Sequence, residues 1–373
     1  MLLLLSSVVF LGNSWAETEG GKRWSEQKAQ KWGERQKWIV GANFSPSNAS
    51  NQLDMWQADT WSPELIDKEL GWAEAIGMNT IRVYLHYFPY RDDKKGFFRR
   101  MDRFLELCAK HNIKPMFIFF DDVWNPNPHA GPQPEPKKHL HNANWMQSPG
   151  KDILWNSERH AELKPYVQDT LRRYKDDDRI LLWDLYNEPQ NTNGSSYKDE
   201  GKEKYSMMLL REVFAWAREI APSQPITSGL WTGDWTDPEN LSDFNRFMLE
   251  NSDVITFHNY NDLDDFKRVS QALERYNRPM ICTEYMARGN NSLFETHLPY
   301  MAQKNIGAIN WGFVEGRTQT IYPWDSWDRT YTAEPELWFH DIFRKNGTPY
   351  RQEEVDLIKK LSKSKNHSSK IGE

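Results

Sequence analysis

The chain has 373 residues, enough to bury a full core either as one barrel or as two ordinary domains. Its net charge of −6, with both signs mixed along the chain, excludes a strongly basic surface and argues against nucleic acid as a partner. Two cysteines, Cys108 and Cys282, cannot make a disulfide scaffold, and their apolar settings read as buried free thiols. Aromatic residues are abundant at 14%, and many tryptophans sit in polar, Pro-rich stretches rather than in periodic apolar runs. Placed in a groove, such rings stack on the C–H faces of sugars or on bases, and the acidic balance favours sugars.

In chain order, residues 1–16 form a short apolar run ending Ser14-Trp15-Ala16, which reads as a signal peptide cleaved after Ala16. No Lys or Arg precedes the run, and it is too short for a membrane span. A secreted or periplasmic protein is expected, with no stable membrane association after cleavage. Residues 17–37 are polar, with Trp24 and Trp32 among them, and read as a helix closing one end of a domain or as a linker.

From Trp38 short apolar runs alternate with amphipathic segments. The strand candidates are WIVGANF (38–44), TIRVYLHYF (80–88), KPMFIFFDD (114–122) and ILLWDLYNEP (180–189), then PITSGLWTG (225–233), VITFHNY (254–260), PMICTEYMA (279–287) and GAINWGFVEG (307–316). Most are apolar throughout, as strands covered on both faces are. Between them, Phe98, Met101, Leu105 and Cys108 share a helical face, as do Leu209, Val213, Trp216 and Ile220. Eight such units over 38–350 predict an α/β fold of the (β/α)8 TIM-barrel kind. An open doubly wound sheet would want a Gly-rich turn after the first strand, where this chain has Phe44-Ser45-Pro46-Ser47. Long Trp-bearing loops follow the third strand (Asp121 to Asn156) and the eighth (Glu315 to Thr332). Residues 351–373 read as a helix and a Lys- and Ser-rich mobile tail. A monomer is expected.

The sharpest chemical feature is Asn187-Glu188-Pro189 closing the fourth strand candidate. A carboxyl group there stands at a low-dielectric mouth, where desolvation favours the protonated form that a general acid needs. Glu284 ends the seventh strand after four residues that read as buried, and an isolated acid there is costly unless paired or functional. Strands four and seven face each other across a barrel. Two carboxyls projecting from them could approach the separation of about 5 Å that retaining glycosidases use.

On these residues the chain resembles the clan of retaining (β/α)8 glycosidases that includes family 5, the cellulase-like hydrolases, over Trp38 to about His340. The resemblance implies that Glu188 is the acid/base, Asn187 the ligand of the sugar 2-hydroxyl and Glu284 the nucleophile. It further implies an Arg beside the nucleophile, matched by Arg82 in TIRVY, and a His-x-Tyr pair, matched by His258 and Tyr260. Trp311 matches the strand-eight sugar platform. Many members carry a His at the end of strand three, whereas this chain has Asp121-Asp122, which could contact sugar hydroxyls or cap the loop. Trp124 and Trp324 are candidates for outer sugar contacts.

The expected partner is a β-linked carbohydrate, cleaved by double displacement with no cofactor. His139-x-His141 has the spacing of a metal pair but falls in mid-loop, and no metal is expected. Two other readings use the same features: a non-catalytic carbohydrate-binding barrel, and a transglycosidase.

Overall fold

The computed structural model describes residues 21–192, Tyr197 and 201–368; the leader expected over 1–16 and the end of the tail lie outside them. Eight parallel strands follow one another: β1 Val40–Asn43, β2 Thr80–Tyr84, β3 Lys114–Asp121, β4 Leu182–Asn187, β5 Ile226–Thr227, β6 Ile255–His258, β7 Met280–Glu284 and β8 Gly307–Asn310. Their spatial order is β5-β4-β3-β2-β1-β8-β7-β6, and a parallel bridge from Leu230 to Phe257 joins the two ends. The result is a nearly closed (β/α)8 barrel. The near-continuous apolar runs are explained by burial of all eight strands throughout or all but their first residue, with helices outside and a packed interior within.

All eight strands are shorter than their candidate runs, and two of them show why. β2 stops at Tyr84 because His86 accepts from the Phe88 amide at 3.1 Å and starts a helix over Tyr87–Asp92. β5 keeps only Ile226–Thr227, and the chain beyond Gly229 rejoins the sheet at Leu230 alone. The close β1–β2 approach requires Gly41, where a Cβ would lie 2.0 Å from the Thr80 carbonyl oxygen.

Both helical stripes lie on helices, Lys94–Lys110 and Glu203–Ile220, with Met101, Leu105, Cys108, Leu209, Val213 and Trp216 buried. Pro63 opens the Pro63–Ala75 helix, and Gly77 and Asn112 sit past helix ends with φ of 88° and 56°. At the N-terminal ends of the strands, Ile39, Leu181 and Val254 belong to an apolar cluster covered by Trp32 of the Glu26–Glu34 helix. At the other terminus the Gln352–Ser368 helix is anchored by the buried Arg288–Glu354 ion pair at 2.6 Å. Cys108 and Cys282 are buried and unbridged. Among the described residues no helix is long and apolar enough to cross a membrane.

Candidate active site

The C-terminal ends of the strands converge on a cleft of about 850 Å³, within the usual range for small-molecule sites. Glu284 and Glu188 line it from opposite sides of the barrel. His258, from the end of β6, stands between them: its Nδ1 is 2.7 Å from Glu188 Oε1 and 3.6 Å from Glu284 Oε2. One ligand atom from each of the three lies within 4.8 Å of the others. That cluster has the donor types of a cation site, but its short internal contacts are those of an acid–base array.

Glu284 is held at both oxygens. Oε1 accepts from Arg82 Nη1 at 2.7 Å and from the Tyr84 hydroxyl at 2.8 Å, while Oε2 accepts from the Tyr260 hydroxyl at 2.7 Å. Burial alone would raise its pKa. The charges of His258 and Arg82 and the two tyrosine hydroxyls outweigh burial and hold Glu284 below the ordinary glutamate value. Burial raises both tyrosines well above their usual range, so they remain hydroxyl donors at neutral pH.

Arg82 itself lies under the floor of the cleft, fully buried. Its fork also donates to Asp184 at 2.7 Å, Asn43 at 2.9 Å and Asn187 at 2.6 Å. Burial opposes the charge, but Tyr84, Asp184 and Glu284 reverse that and raise its pKa further. The guanidinium therefore fixes side chains from β1, β2, β4 and β7 around a single cation.

Glu188 follows β4 with a left-handed φ of 43°, a strained conformation for a residue with a side chain. The strain is held from outside. Asp122 accepts from the Gln190 amide at 2.8 Å, from Ser206 Oγ at 2.5 Å and from the Tyr186 hydroxyl at 2.7 Å. Asn191 Nδ2 donates to Glu188 Oε2 at 2.6 Å and aims the carboxyl.

Of the residues singled out from the sequence, Asn187, Trp124, Trp311 and Trp324 line the cleft with Glu188, His258, Tyr260 and Glu284. Trp311 is 9% exposed and meets Tyr84 and Trp145 edge-to-face. Asp121 does not reach the cleft. It is buried behind it, accepting from Asn187 Nδ2 at 3.0 Å and from Trp145 Nε1 at 2.7 Å, so it supports a wall rather than meeting a ligand. Burial pushes its carboxyl up to about 8 against these donors.

His139 and His141 each turn Nδ1 toward a backbone carbonyl, of Tyr331 and of Tyr322, both at 2.9 Å. Sequence reasoning missed Tyr84, Asp184 and Asn43. Tyr84 was within reach, because it stands two residues after Arg82 and so on the same face of β2.

Residues 39–315 match the family model described as Cellulase (glycosyl hydrolase family 5). Similar folds occur in solved structures at low identity. The endo-1,4-β-mannanase from Rhizomucor miehei is 13% identical, with 88% of this chain and 98% of that one covered at a TM-score of 0.56. GH5_18 from Streptomyces cattleya, in complex with GlcNAc, is 11% identical over 88% of this chain and 80% of that one, at 0.56. The exo-β-1,4-mannosidase Op5Man5 from Opitutaceae bacterium strain TAV5 is 15% identical at 0.59, covering 89% of this chain but only 60% of its own. No curated protein sequence matches. With the family model spanning most of the barrel and the two glutamates at its mouth, the chain belongs to the cellulase family, glycosyl hydrolase family 5, and is a glycosidase.

Proposed function

We propose that the protein hydrolyses β-linked polysaccharide or oligosaccharide of the 1,4-glucan, mannan or xylan type with net retention of anomeric configuration. The observation that carries this reading is the closeness of the two acids: oxygens of Glu188 and Glu284 lie within 4.8 Å. Carboxyls about 5–5.5 Å apart leave room for direct attack on the sugar, whereas inverting enzymes need about 6.5–9.5 Å to admit a water.

Glu284, kept ionised by Arg82, Tyr84 and Tyr260, attacks the anomeric carbon as Glu188 protonates the glycosidic oxygen. The C–O bond breaks, the aglycone leaves and a glycosyl ester forms on Glu284. Glu188, now a carboxylate, takes a proton from water, which attacks the same carbon and frees Glu284. His258 holds Glu188 between the two steps. Asn187 is assigned to the sugar 2-hydroxyl, Trp311 to the platform under the reacting sugar, and Trp124 and Trp324 to its surroundings. Export from the cell is proposed on the leader-like residues 1–16.

Chemical rescue tests the assignment. A Glu284→Ala protein should lose nearly all turnover of an aryl β-glycoside and, with azide, yield the α-glycosyl azide. Rapid turnover without azide would rule Glu284 out as nucleophile.

A further inference from the structure

The two long loops flanking the cleft are not independent arms. The Trp324–Trp327 turn, from the loop after β8, contributes Trp324 and Asp325 to the lining of the cleft. At one end Trp324 meets Tyr260 edge-to-face, ring centroids 5.0 Å apart. At the other, Trp327 stacks on Trp124 of the loop after β3, at 4.9 Å and 12°, and also meets Tyr197 of the loop after β4. The turn thus runs from the β6 side of the mouth to the β3–β4 side.

The clasp between the loops is dense. Trp327 Nε1 donates to the His141 carbonyl at 2.9 Å, and the His141 amide donates to Ser326 Oγ at 3.0 Å. The Asn142 amide donates to the Thr318 carbonyl at 2.8 Å, and the His139 amide to Gln319 Oε1 at 2.7 Å. Four non-glycine residues of these loops, Trp124, His139, Asn142 and Gln319, have φ between 48° and 65°. Strained backbone concentrated at one contact persists only where the surroundings over-determine it, so this wall is built rather than incidental.

Its position relative to the glutamates decides what it excludes. Under the reading above, the sugar attacked by Glu284 rests on Trp311, and the departing oxygen faces Glu188. Trp311 packs edge-on against Tyr84 and Trp145, and the Tyr260 hydroxyl is 2.7 Å from Glu284 with Trp324 one ring beyond. The side of the cleft that holds the attacked sugar therefore ends at the aromatic turn. The remaining lining includes Trp231 and Trp235 from the loop after β5, and Asn261 and Arg268 from the loop and helix after β6. In a polysaccharide, the direction beyond the attacked sugar leads to the non-reducing end.

We infer that the clasped loops close the cleft beyond one sugar, so that the enzyme removes single units from the non-reducing end of a β-linked chain and does not cut internally. This rests on the assignment of Glu188 and Glu284 and names which bond of the chain that pair reaches.

The test uses the wild-type protein and β-1,4-linked hexasaccharides of glucose, mannose and xylose labelled at the reducing end, with Glu284→Ala as the blank. The inference expects labelled pentamer as the first product, one monosaccharide per cleavage, and shortening by single steps. Labelled dimers and trimers from the earliest time points, or release of disaccharide, would overturn it while leaving the glycosidase reading intact. No cleavage of any of the three would overturn both. Trp327→Ala, which removes the stack on Trp124 and the bond to His141, should raise the share of internal cleavage several-fold. Strict single-unit release by a folded Trp327→Ala protein would show that the clasp is not the barrier.

Discussion

Arg82 Nη1 donates to Glu284 Oε1 at 2.7 Å while Nη2 of the same guanidinium donates to Asp184 Oδ2 at 2.7 Å, all three side chains being buried or nearly so. One cation therefore compensates two carboxylates where water cannot. Removing one partner of a buried pair leaves uncompensated charge and costs about 3–5 kcal/mol. Arg82→Ala should lose about that much unfolding free energy in urea titrations. Arg82→Lys should recover part of the stability but little of kcat, because a point charge cannot span Asn43, Asp184, Asn187 and Glu284 at once. A loss under about 1 kcal/mol for Arg82→Ala, below the range for buried pairs, would mean the network is not held by this residue.

Tyr260 donates to the other oxygen of Glu284. Hydrogen bonds to charged groups contribute about 1.5–3 kcal/mol, so Tyr260→Phe should lower kcat/KM by about 10- to 100-fold. The pH profile carries the sign. Glu284 attacks as the carboxylate, and its lowered pKa places the acid limb of kcat/KM below the ordinary glutamate value. Removing the Tyr260 hydroxyl takes away one cause of that lowering, so the limb should move to higher pH. An unmoved limb would separate Tyr260 from the ionisation of Glu284.

Glu188→Ala should divide substrates by leaving group. General-acid assistance is worth about 10²–10⁴-fold, so natural oligosaccharides should lose activity on that scale. Formation of the glycosyl ester from a dinitrophenyl glycoside, which departs without protonation, should be nearly unchanged in a burst measurement. Equal loss on both would contradict the acid role.

Stability should fall as pH rises above neutrality. Burial pushes Glu69 to about 7, Asp121 to about 8 and Asp341 to about 7. Each folded value lies above the unfolded one, so the native state keeps protons that the unfolded chain releases, and unfolding free energy declines with pH through these values. Buried His86 and His141 run the other way, pushed down to about 3 and about 4 by desolvation, and they penalise folding only below their unfolded value of 6.5. Above that pH the acids act alone. Denaturant titrations between pH 6.5 and 8.5 should show a decline that levels off as the last of these acids loses its proton, shallower in Glu69→Gln, which keeps an acceptor for the Ser47 amide. A flat profile would contradict it.

Much of the barrel was legible because its strands are nearly all-apolar runs at even spacing, and the glutamates because each interrupts such a run at its end. The limits of β2 and β5 were not, since a side-chain cap at His86 and a single rejoining bridge at Leu230 decide them. Asp121 was left open between a sugar contact and a loop cap because the sequence gives the end of a strand but not which neighbour covers it; Trp145, whose Nε1 it accepts from, lies 24 residues on. The stack of Trp124 on Trp327 was out of reach for the same reason, being a contact between loops on non-adjacent strands. Asp122, left open between the same two roles, braces the strained turn at Glu188.

The most direct measurement is the configuration of the first sugar released. Proton NMR of an aryl β-glycoside during its first turnovers, before mutarotation, should show the β-anomer appearing first, as two displacements between Glu284 and Glu188 require. Initial appearance of the α-anomer would mean a single displacement by water and would contradict the double-displacement account.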